Sequence, residues 1–141
     1  MPLHNLVYVS LATEDMSDET LKKILNKART KNEGLDITGM LLYRDGFFMQ
    51  VLEGEKGMIE NLFEQISLDA RHRDLIVINR KPIKQRSFPD WKMGFNEIDD
   101  ESIASIEGFS DFLKKPTPEF FVQRASEAEA LLDQFKHQLF F

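Results

Sequence analysis

The sequence of 141 residues has no cysteine, which removes disulfides, thiolate nucleophiles and cysteine-ligated zinc together. Its three histidines, His4, His72 and His137, stand apart without metal-ligand spacing. No glycine-rich phosphate loop and no nucleophile elbow occurs, so hydrolase and kinase chemistry have no motif to rest on. The longest apolar stretches are strand-sized, too short for a membrane-spanning helix. The N-terminus, MPLHNLVYVS, lacks a basic segment followed by an apolar signal core, which points to the cytoplasm. Positive charge is also in deficit. Lys and Arg number 18 against 24 Asp and Glu, and the resulting net charge of −6 is unsuited to general nucleic-acid binding.

What remains is an ordinary globular composition, 42% hydrophobic and 30% charged, sufficient for one domain with its own core. Charge is unevenly spread. Arg80, Lys81, Lys84 and Arg86 fall within seven residues that hold no acid, and Glu97, Asp99, Asp100, Glu101 and Glu107 follow. Solvated faces are the simplest account of both runs.

Residues 6–10 (LVYVS) form a short β-rich run. Ser17 offers a helix N-cap, Asp18 and Glu19 suit a helix N-terminus, and Leu21, Ile24, Leu25 and Ala28 follow at helical spacing. Gly34 supplies a stop. Residues 37–43 and 47–53 read as two strands joined through Arg44-Asp45-Gly46, whose Asp-Gly pair is a hairpin signal. A second amphipathic helix runs from about residue 57, with Ile59, Leu62, Phe63 and Ile66 as its stripe. Residues 75–79 and 92–97 complete the strands. The order β-α-β-β-α-β-β predicts an α+β, ferredoxin-like mixed sheet with both helices on one face, because crossovers are right-handed. Alternation makes both sheet faces apolar, so both need cover. The protein therefore divides into a sheet domain over 1–98 and a helical segment over 99–141. Two C-terminal helices are expected on the back of the sheet. The last carries Phe121, Ala125, Ala128, Leu132, Phe135 and Leu139 at heptad-like spacing, and a homo-oligomer contact is the alternative use of that stripe.

Several polar or electron-rich residues sit against apolar backgrounds. Gln50 interrupts the run FFMQVLEGE, although a buried amide must have its donors and acceptors met. Tyr8 lies among aliphatics, and the two approach each other if the first and third strands are neighbours. Asn32 ends the first helix, and Trp91 and Met93 alternate onto one face of the last strand.

Together these residues resemble the BLUF family, blue-light sensors that bind FAD non-covalently. The resemblance covers about residues 3–97. It rests on LVYVS with Tyr8, the EGLDITGML stretch that follows Asn32, FFMQVLEGE with Gln50, DARHRD from Asp69, and FPDWKMGF with Trp91 and Met93. It implies FAD lying between the two helices. Asn32 and Gln50 would meet the polar edge of the ring, as amides carrying both donor and acceptor. Ile24 and Ile66 would clamp its faces, and Asp69, Arg71 and His72 would lie toward the C2 carbonyl and ribityl side. Lys84 and Arg86 would reach the pyrophosphate. Lys31 departs from the family, many of whose members have Asn or His there.

The resemblance further implies a photoreceptor without enzymatic activity. Light would drive an electron and a proton from Tyr8 toward the flavin, leaving the Gln50 amide rotated or tautomerised. Trp91 and Met93 would pass the change to the C-terminal helices. No effector segment is recognised, so the signal would go to a separate downstream protein. A flavin-dependent oxidoreductase and a cofactor-free ferredoxin-like interaction module are the rival readings.

Overall fold

A computed structural model of the protein describes residues 3–14, 16–44, 46–88 and 93–97, the last four as backbone only. Seven elements follow in order: β1 (Leu3–Ala12), α1 (Asp18–Leu35), β2 (Thr38–Arg44), β3 (Phe47–Glu55), α2 (Lys56–Ser67), β4 (His72–Ile83) and β5 (Gly94–Glu97). The strands form one sheet in the order β4-β1-β3-β2-β5. All pairings are antiparallel except β2 with β5, so the sheet is mixed, with the ferredoxin-like α+β topology expected from the sequence.

Local chemistry explains most boundaries. Ser17 caps α1, its hydroxyl accepting from the Thr20 N–H at 3.1 Å, and Asp18 and Glu19 occupy the first turn. The helix does not stop at Gly34. It continues to Leu35 and ends on Asp36, whose φ of 54° is left-handed and whose N–H closes on the Asn32 and Glu33 carbonyls. Aspartate tolerates that region, so no glycine is needed. Glu55 caps α2 by accepting from the N–H groups of Gly57 and Met58. Gly46, at φ 84°, lies at the β2–β3 turn where the Asp-Gly signal put it.

Both helices pack on one face of the sheet. Leu21 and Leu25 of α1 and Ile59 and Leu62 of α2 join Leu6, Tyr8, Leu41, Phe48 and Leu52 in one apolar cluster. On the opposite face Val7, Val9, Met40, Leu42, Met49 and Val51 are buried as well. The C-terminal helices expected there fall on residues outside those described. Gly39 is required by close approach, because a Cβ at that position would meet the Val51 carbonyl oxygen at 1.9 Å. No helix among the described residues is long and apolar enough to cross a membrane.

Two strands differ from expectation. β4 reaches from His72 to Ile83 rather than 75–79, because it pairs with β1 along its whole length despite bulges. Its charged ends are tolerated at a sheet edge, where one side is solvated. β5 begins at Gly94, so Met93 precedes the strand instead of lying within it. Trp91 lies outside the described residues.

Candidate functional site

Strand register creates the centre of the site. In the antiparallel β1–β3 pair Tyr8 stands directly opposite Gln50, so the two side chains rise on the same face, toward the helices. The Tyr8 hydroxyl donates to Gln50 Oε1 at 2.5 Å. Gln50 Nε2 donates to the Met93 thioether at 3.4 Å. This amide orientation follows from partner chemistry: sulfur accepts, and the phenol supplies the proton the carbonyl needs. All three residues are buried, with 4%, 5% and 1% of Tyr8, Gln50 and Met93 exposed. Burial, and then the charge of Asp69, push the Tyr8 phenol pKa well above its ordinary value, so the hydroxyl stays protonated.

Above this pair a cleft of about 160 Å³ opens between α1 and α2. That is on the order of ten times the space one water needs, so the cleft is sized for a ligand. Its walls are apolar: Ile24 and Ala28 from α1, Leu62 and Ile66 from α2, and Leu41 and Phe48 from the sheet floor. Amide groups enter from Gln50 and from Asn32, which is 1% exposed in the last turn of α1.

The mouth is polar. Asp69, just past α2, accepts from Arg71 through its backbone N–H at 2.9 Å and its guanidinium. These bonds hold the Asp69 carboxyl down at a pKa of about 2. His72 opens β4 with both ring nitrogens engaged. Nε2 donates to the Ile66 carbonyl at 2.6 Å, and Nδ1 lies 3.0 Å from the Ser10 hydroxyl. With the proton on Nε2, Nδ1 accepts from Ser10, and the ring ties the end of α2 to β1. Lys31 Nζ donates to Gln65 Oε1 at 2.5 Å, crossing from α1 to α2 at the cleft.

The structure thus gathers Tyr8, Ile24, Asn32, Gln50, Ile66, Asp69, Arg71 and His72 around one cleft, with Met93 against Gln50. Lys84 and Arg86 do not line it. Arg86 instead donates to the Thr38 hydroxyl and to the Glu53 and Asp36 carbonyls, each at 2.9 Å. Sequence reasoning missed Gln65 and Glu53. Both look like solvent-facing positions, and their partners lie more than thirty residues away in sequence.

A scan against family models matches residues 3–94 to BLUF, sensors of blue-light using FAD. The protein belongs to the BLUF family. Among its relatives is photoactivated adenylate cyclase subunit beta of Euglena longa, 36% identical over 119 residues, or 84% of this protein and 14% of that one. The alpha subunit of Euglena gracilis is 34% identical over 118 residues, 84% of this protein and 12% of that one. The protein therefore spans about one-seventh or less of these cyclase relatives' length. Solved structures similar to it include BlsA in its ground state, with a TM-score of 0.80 and 29% identity over 96% of this protein and 88% of that one. BlrB, a BLUF protein in its dark state, superposes with a TM-score of 0.71 and 28% identity over 91% and 97%. The family's sensors use FAD, and apolar walls with a few amides at one edge are the chemistry that a planar flavin ring needs.

Proposed function

We propose that the protein is a blue-light photoreceptor without enzymatic activity, which binds FAD between α1 and α2 and signals by switching the Gln50 amide. The observation that carries this reading is the run of hydrogen bonds from Tyr8 through Gln50 to Met93 on the floor of a ligand-sized cleft. The residues fit the cofactor: Ile24 and Ile66 on the facing helices suit the two sides of a planar ring. Asn32 and Gln50 offer paired donors and acceptors to its polar edge, and Asp69, Arg71 and His72 suit its polar tail side.

Bound flavin supplies the absorption of blue light and, once excited, a strong one-electron oxidant. Tyr8 is the oxidisable group in the floor. Because burial keeps the phenol protonated, loss of an electron releases the hydroxyl proton along its existing bond to Gln50 Oε1. An amide carrying that proton can rotate or pass through its imidic tautomer. Either route exchanges donor and acceptor with almost no change in volume. Return of the electron and proton restores Tyr8, while the exchanged Gln50 pattern persists in a dry, packed setting that resists immediate reversal. The change reaches Met93 first, and from there residues 99–141 serve as cap and output segment toward a separate signalling protein. The relatives named photoactivated adenylate cyclase support a light-driven output, and this protein matches only 14% of the length of the one from Euglena longa.

The test is an absorption measurement on the purified protein with FAD. Illumination should shift the flavin bands reversibly to the red. Failure to take up FAD, a yellow protein without a reversible shift, or steady NADH oxidation in the dark would contradict the reading.

A further inference from the structure

The Met93 thioether is a weak acceptor, so its bond from Gln50 cannot by itself seat the residue. The backbone holds it instead. Arg29, on α1 and outside the lining of the cleft, donates from Nε to the Met93 carbonyl at 3.0 Å. Gly94, the next residue, pairs with Met40 of β2. Ahead of it in sequence, the backbone at Ser87 and Phe88 is held by Glu53, three residues beyond Gln50 on β3 and 1% exposed. Its carboxylate accepts from the Ser87 N–H at 2.7 Å and the Phe88 N–H at 2.8 Å. Arg86 locks the same corner by bridging Thr38, the Glu53 carbonyl and the Asp36 carbonyl.

We infer that Arg29 and Glu53 are the two ends of a clamp that holds Met93 against Gln50 and so sets how fast the light-switched amide reverts. This rests on the photoreceptor reading above. When the Gln50 amide rotates, its carbonyl oxygen faces the Met93 sulfur, and two acceptors confront each other. Met93 must then yield or the switched arrangement is destabilised. A rigid seat raises the free energy of the switched arrangement and hastens its return; a loosened one lets Met93 withdraw and prolongs it. Neither Arg29 nor Glu53 contacts the reacting atoms, so both are positioning residues.

Dark recovery of the red-shifted absorption measures this directly. Arg29→Gln and Glu53→Gln should each bind FAD and shift as the wild type does, but recover roughly three- to tenfold more slowly, the rate equivalent of one net hydrogen bond. Arg29→Lys, which keeps a cationic donor, should restore part of the rate. In a Met93→Ala background Arg29→Gln should add nothing, because the clamp acts through the side group that has been removed. Arg29 is partly exposed, so its variants decide the matter even if Glu53→Gln does not fold. Recovery of Arg29→Gln at or above the wild-type rate, or an equal slowing with and without Met93, overturns the clamp while leaving the photoreceptor reading intact. A wild-type protein without any light-induced shift overturns both.

Discussion

Replacing either partner of the Tyr8–Gln50 bond strands the other where water does not reach. Tyr8 is 4% exposed and Gln50 5% exposed, and the bond between them is short at 2.5 Å. Tyr8→Phe removes the donor and leaves Gln50 Oε1 unmatched. Gln50→Leu removes the acceptor and leaves the phenol hydroxyl unmatched, while gaining some apolar burial. An orphaned buried polar group costs about 1–3 kcal/mol, so each single variant should lose about that much. For a protein of this length the loss corresponds to a Tm lower by roughly 3–10 °C. The double variant removes donor and acceptor together and strands neither. It should be no less stable than the worse single variant, with a coupling energy of about 1–2 kcal/mol between the positions. Urea unfolding at saturating FAD, with equal m-values, measures all four corners of the cycle. Any flavin contact of Gln50 is lost equally from Gln50→Leu and the double variant, so it cancels. Single effects that add within about 0.5 kcal/mol would refute the claim that these side chains depend on each other.

Two further outcomes follow from the same geometry. The Asp69 carboxyl is depressed from an ordinary 3.8 to about 2, chiefly by its bonds from Arg71, so the stabilisation is present above about pH 4 and lost as pH falls toward 2. Asp69 and Arg71 are about a third exposed or more, so solvent screening reduces the contribution to about 1 kcal/mol. Wild type should exceed Asp69→Asn by that amount at pH 6 in urea midpoints, and the gap should close near pH 2. Gly39→Ala should cost about 3 kcal/mol or more, because its Cβ would overlap the Val51 carbonyl and prise β2 from β3; a melt within 2 °C of wild type, roughly a fifth of that loss, would contradict this.

The sheet floor of the site was legible because it depends on period-two alternation. LVYVS and FFMQVLE read as strands whose Tyr8 and Gln50 approach each other if the two are neighbours with a shared facing side, and the β1–β3 register meets that condition. The apolar walls were equally visible in the helical stripes that carry Ile24 and Ile66. Charge hid the rest. Arg80 keeps its solvated face, but both Arg80 and Lys81 belong to β4, an edge strand whose pairing with β1 overrides its polar composition. Arg86, which the resemblance would bring to the pyrophosphate, lies at the end of the sheet, where the Thr38 hydroxyl and the Glu53 and Asp36 carbonyls accept from it. Nothing in VLEGE distinguishes a buried glutamate from a solvated one, since the N–H groups that satisfy it come from Ser87 and Phe88, more than thirty residues later. Helix α1 passed Gly34 for a related reason. A left-handed Asp36 could close the helix, and Arg86 holds the Asp36 carbonyl in place.

The Gln50 amide is the proposed switch. Light-minus-dark infrared difference spectra of protein carrying isotope-labelled glutamine amides report on its hydrogen bonds directly. A labelled amide carbonyl band should shift on illumination in the wild type, revert with the absorption in the dark, and be missing from Gln50→Leu and Tyr8→Phe. A labelled band that stays unmoved while the wild-type flavin absorption shifts would contradict the switch.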